Sequence, residues 1–216
     1  DEAPSSTMGP DLSFSQDWYA ANPSGQLIWL GNASGGTQWP STSPLVDETI
    51  SRANTFFTAN PDYTLGGFIY IQGEADANVE MPSETYASVI QGLFSRLRSE
   101  ITVADETTPV IVGEIYQHFD PNFTTPGTIP GFVNAWGEAI RLVHRDIANL
   151  IPAAACSVSS ASGGEPELAD RGDEVHYNAA SQRIMGSRMF SLIGAATANT
   201  AVIPGVVSAL AVGTET

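Results

Sequence analysis

Gly67-Phe-Ile-Tyr-Ile-Gln72-Gly-Glu-Ala-Asp76 is the stretch on which the fold turns. Its first half is continuously apolar, with β-branched and aromatic residues, as expected of a strand covered on both faces. Its second half places a side-chain amide, a glycine and two carboxylates where that strand ends. In open α/β sheets ligands bind beyond the carboxyl ends of the strands. An amide there can donate to a developing oxyanion, which stabilises a transition state more than a ground state. Helix capping by Glu74 and Asp76 is the plain structural alternative.

The same signal recurs on either side. Gly25-Gln-Leu-Ile-Trp-Leu-Gly31 and Pro109-Val-Ile-Val-Gly-Glu-Ile-Tyr116 read as buried strands, and Ala153-Ala-Ala-Cys-Ser-Val158 as a weaker one. Helical patterns lie between them: Leu12 to Ala21, Val46 to Thr58, Ser83 to Ile101, Phe132 to Leu150, and Ala179 to about Ile193. The third of these spaces Tyr86, Val89, Ile90, Leu93, Phe94 and Leu97 on one face. Strand–helix alternation predicts a parallel sheet with helices on both sides. No internal repeat is visible. His118 to Pro130 and Ser159 to Asp173 read as long loops. The expected organisation is one domain over 1–195, followed by a tail or extra strand over 196–216.

Composition narrows the function. The 216 residues carry 24 acidic and 8 basic side chains, a formal charge of −16, and every basic residue is an arginine. Such a chain repels phosphate backbones and anionic lipid, so neither nucleic acid nor a membrane surface is expected as a partner. No apolar run reaches the roughly 18 residues of a membrane span. Acidity without lysine suggests an extracellular or periplasmic protein, with a saline setting as one possibility. The chain opens on Asp1 with neither an initiator methionine nor a visible signal peptide. A processed, trimmed or partly recorded protein is therefore expected. Its single cysteine, Cys156, excludes an intrachain disulfide and a zinc site built from several thiolates.

Two further segments could carry chemistry. Asn32-Ala-Ser-Gly-Gly-Thr37 follows the first strand pattern, and its paired glycines permit a sharp turn with N–H groups facing outward. By itself it is also an ordinary turn. In Asp173-Glu-Val-His176 the carboxylate can bend back onto one ring nitrogen, leaving the other as a base poised near neutral pH. Asp-x-x-His alone is common by chance. His118 looks less useful, and His144, flanked by Arg141 and Arg145, reads as a surface residue. Glu165, Glu167, Asp170, Asp173 and Glu174 match no calcium-loop spacing, so a solvated acidic loop is expected there.

Taken together, Gly9-Pro-Asp-Leu-Ser-Phe14, Ser34-Gly-Gly-Thr37, Gln72-Gly-Glu-Ala-Asp76 and Asp173-Glu-Val-His176 resemble, in order and spacing, the pattern of the SGNH hydrolases. The branch they resemble is the sialate O-acetylesterase and acetylxylan esterase group, carbohydrate esterase family six. The resemblance covers the chain to about residue 193. It implies a three-layer α/β/α, flavodoxin-like domain that removes acetyl groups from carbohydrate without metal or organic cofactor. His176 would be the general base, oriented by Asp173 with Glu74 as rival. Gln72 and a main-chain N–H of Gly35 or Gly36 would hold the oxyanion. Ile71 departs from the histidine or tyrosine more usual at that position.

The nucleophile is the larger departure. The resemblance calls for a serine in a Gly-Gln-Ser-Asn motif at the end of the first strand, and no such motif occurs here. Ser5 and Ser6 follow a proline and no strand. Ser34 lies in no nucleophile elbow. In a flavodoxin-like order the first strand sits between the second and third. Without it the strands at Gln26 and Phe68 would each show an unpaired edge. Three readings stay open. A missing N-terminal segment or neighbouring subunit supplies the strand; or residues 200–208 fill it, with Ser208 as nucleophile and Pro204 against the idea; or the protein is a non-catalytic relative that binds carbohydrate or assembles.

Overall fold

The computed structural model describes residues 9–34, 37–116, 132–159, 168–169 and 177–199, the side chains of 132–135 excepted. In chain order these form α1 (Asp11–Ala21), α2 (Pro44–Ala59), β1 (Phe68–Ile71), α3 (Glu74–Asn78) and α4 (Ser83–Glu100). Then follow β2 (Val110–Gly113), α5 (Phe132–Arg145), α6 (Ile147–Leu150), β3 (Ala154–Ser157) and α7 (Ala179–Ala198). Among the described residues the strands make one parallel sheet in the order β1-β2-β3, with Ile69 beside Ile111 and Ile111 beside Ala155.

Strand alternation splits the interior into two layers. Phe68, Tyr70, Val110, Val112 and Ala154 face one core with α2, α4 and α5. Ile69 and Ile111 face the other, with Phe14 of α1 and Met185 and Met189 of α7. Both faces of each strand are thus covered, which explains runs with no polar residue. On α4, Tyr86, Ile90, Leu93, Phe94 and Leu97 are fully buried, the stripe that its helical spacing predicts. Burying such a side chain contributes about 1.5–3 kcal/mol. The three-layer α/β/α expectation holds.

Three expectations are corrected. Among the described residues, 25–31 pair with no strand, because a ladder needs a neighbour and a cavity is lined by this segment on one side and by Gly67–Ile69 on the other. The expected helix over 132–150 divides at Asp146 into α5 and α6. His144 is completely buried rather than on the surface. It shares the inward stripe of Ile140, Val143 and Ile147, while Arg145 on the neighbouring face reaches the buried Glu114. The predicted loops 118–130 and, for most of its length, 159–173 lie outside the described residues, as does the tail beyond 199.

Candidate active site

The carboxyl ends of β1 and β2 gather the polar groups. Gly73 makes the turn out of β1 with φ of +147°, a conformation that L side chains rarely adopt. A Cβ there would also meet Ile140 Cγ2 at 2.6 Å, so the backbone and the space both require glycine. Glu74 and Asp76 follow in the first turn of α3, but its N-cap is Gly73 and no side chain makes a capping hydrogen bond, which corrects the capping alternative. Asp76 is 1 % exposed, and its two oxygens accept from Gln38 Nε2 at 3.2 Å and Gln72 Nε2 at 2.8 Å. Burial raises its pKa above the usual carboxylate range, and the two amides partly offset the shift.

Gln72 is held on every side. Its Oε1 accepts from the Tyr70 hydroxyl at 2.5 Å, and its Nε2 donates to Asp76 and to the main-chain oxygen of Thr37 at 3.0 Å. The Thr37 contact joins two segments that the sequence singles out separately. Tyr86 donates to the Gln72 carbonyl at 3.2 Å and meets His144 Nε2 at 2.8 Å. A phenol has one proton, so once Tyr86 donates to Gln72 it accepts from His144, which fixes the Nε2–H tautomer. Burial pushes the His144 pKa down to about 3. This histidine is a neutral strut beneath the site, with Nδ1 lacking a partner.

Glu114 stands fully buried just past β2. Its Oε1 pairs with Arg145 Nε at 2.6 Å, and its Oε2 accepts from the Ser159 amide at 2.6 Å and hydroxyl at 2.8 Å. The Tyr177 hydroxyl donates to the Glu114 carbonyl at 2.8 Å. Glu114 therefore ties down Ser159 and Tyr177, which flank in sequence the segment with Asp173 and His176. Sequence reasoning missed it, although a carboxylate ending a buried strand is the same signal that marked Gln72.

His176, Asp173, Gly35 and Gly36 lie outside the described residues, as do His118, Ser208 and the acidic cluster from Glu165 to Glu174. Ile71 ends β1, half-buried, with its side chain among the α1–α7 core. Ser34 is exposed, and its carbonyl accepts from the Thr37 hydroxyl at 2.6 Å. Glu74 is half-buried. Among the described residues no cluster of three or more metal-ligating side chains forms, and no helix is long and apolar enough to cross a membrane.

A parallel sheet sandwiched between helices, with an amide and carboxylates at its strand ends, defines an α/β protein of the SGNH kind. A family model described as carbohydrate esterase, sialic acid-specific acetylesterase, matches residues 1–194, and the chain belongs to that family. None of the curated proteins matches it.

Proposed function

We propose that this protein hydrolyses O-acetyl esters of carbohydrate through a serine acyl-enzyme, outside the cell or in the periplasm. The observation that carries the reading is Gln72, fixed by Tyr70, Thr37 and Asp76 at the strand end where the family's chemistry is expected. Both Nε2 hydrogens are engaged, so the amide reaches an oxyanion by exchanging its longer contact, to Thr37. A main-chain N–H of Gly35 or Gly36 is the second donor. His176 takes the serine proton and returns it to the leaving sugar oxygen, with Asp173, or Glu74, holding the ring. No cofactor enters this scheme.

The absence of a Gly-Gln-Ser-Asn motif from the 216 residues favours a second reading, a relative that binds acetylated carbohydrate or assembles without turnover. A fluorophosphonate label separates the two. In the protein from its source, the esterase reading expects one labelled serine, found by peptide mass, with labelling lost in His176→Ala. No labelled serine, together with sugar affinity that survives His176→Ala, establishes the binding reading instead.

A further inference from the structure

A cleft of about 620 Å³ opens where segment 25–31 ends, lined by Asn32 and Ser34, by Asp11 of α1, by Trp29, and by Glu48 and Arg52 of α2. Its volume falls within the roughly 300–1,000 Å³ of ligand pockets. It adjoins the candidate site. The Ser34 carbonyl accepts from the Thr37 hydroxyl at 2.6 Å, and the Thr37 carbonyl accepts from Gln72 Nε2 at 3.0 Å. Two hydrogen bonds thus separate the cleft from the proposed oxyanion donor. The chemistry proposed above uses none of the lining residues.

The cleft is rich in acceptors. Both hydrogens of the Asn32 amide are engaged within the protein, on the Leu45 carbonyl at 2.9 Å and the Thr49 hydroxyl at 3.1 Å. That fixes Oδ1, which accepts nothing among the described residues. The Asp11 carboxylate has no partner among them either. Glu48 Oε1 pairs with Arg52 Nε at 3.2 Å, and Arg52 Nη1 donates to the Gly31 carbonyl at 2.9 Å. A ligand must therefore bring hydrogen-bond donors, as hydroxyl groups do and carboxylates do not. Arg52 cancels Glu48, so the charge of Asp11 is left over and repels an anion. A calcium ion takes six to eight oxygens, and the guanidinium opposes it.

Trp29 adds a rigid apolar surface. Its Nε1–H donates to Ser15 Oγ at 2.8 Å, and its ring meets Phe14 edge to face at 5.1 Å. The C–H face of a pyranose packs on such a ring while its hydroxyls reach the polar rim. We propose that this cleft is a subsite for an uncharged sugar ring, the unit next to the acetylated one in the substrate glycan. The inference rests on the carbohydrate reading above but not on turnover, since the esterase and the binding alternative both place a glycan at Gln72.

Nuclear magnetic resonance of the nitrogen-labelled protein tests this without any turnover. The probes are unacetylated, uncharged oligosaccharides of xylose, glucose, galactose and N-acetylglucosamine. At least one should shift the side-chain signals of Trp29 and Asn32, a result that stands on the wild type even where a variant fails to fold. Asp11→Ala with Glu48→Ala should raise its Kd at least about tenfold. Glu84→Ala, which removes one charge outside the cleft, should leave the Kd unchanged. If no probe shifts Trp29 and Asn32, or if probes shift Gln72 alone, the subsite is overturned while the carbohydrate reading stands. Sialic acid binding there as tightly as the uncharged probes also overturns it. So do calcium chloride producing the same shifts, and Glu84→Ala weakening binding as much as the double variant. Shifts at Trp29 and Asn32 in a protein that releases no acetate from acetylated glycan would uphold the subsite and remove the esterase reading.

Discussion

Gln72 Nε2 lies 2.8 Å from Asp76 Oδ2, so the amide that ends β1 is aimed by a carboxylate four residues further on. The Gln-Gly-Glu-x-Asp spacing is thus one physical unit. The glycine turns the chain, and the buried acid fixes the amide.

On the proposed reading, replacing Gln72 by alanine removes an oxyanion donor. The expected loss is about 10²–10³ in kcat, with KM little changed. A rise in KM at constant kcat would mean that Gln72 only positions the 32–37 loop through Thr37.

Asp76→Asn leaves one acceptor oxygen where two amides now donate. A cost of about 1–2 kcal/mol is expected in urea unfolding at pH 7. The sign of the pH dependence is also fixed. Because burial raises the folded pKa of Asp76, its contribution is fullest below the ordinary carboxylate range and declines as pH rises through the folded value. The stability difference between wild type and Asp76→Asn should therefore grow as pH falls from 7 towards 4.

His144 works in the other direction. Folded, it titrates near pH 3, and unfolded near 6.5. Stability attached to its neutral form is present above about pH 6.5 and drains away towards pH 3, a swing of a few kcal/mol. His144→Phe should flatten acid unfolding between those values, read by circular dichroism against pH. An unchanged acid limb would remove His144 as the group responsible.

Gly186 sits where α7 crosses α1, and a Cβ there would meet the Pro10 carbonyl oxygen at 2.0 Å. Two backbones cannot move apart without opening the Phe14–Met185 core, so Gly186→Ala should cost about 1–3 kcal/mol or more. A thermal midpoint equal to wild type would show that the helices shift freely.

Much of this was legible in the sequence wherever the determining pattern is local. The α4 stripe and the apolar runs of β1, β2 and β3 carry their own periodicity. Residues 25–31 have the same apolar character, yet whether they form a strand depends on a neighbour far away in sequence. His144 was misread from its flanking arginines, although its spacing from Ile140 and Ile147 already put it on the buried face. In the site, Gln72 and Glu74 stood out through their motif. The roles of Asp76, Gln38 and Glu114 emerge only when β1, β2 and the loops are brought side by side.

The most direct test of the central claim is acetate release from an O-acetylated sugar by the protein from its source, compared with His176→Ala. Hydrolysis should fall as pH drops below about 6 to 7, and the variant should lose at least about 10³-fold. No acetate release, or a rate that His176→Ala leaves untouched, would contradict it.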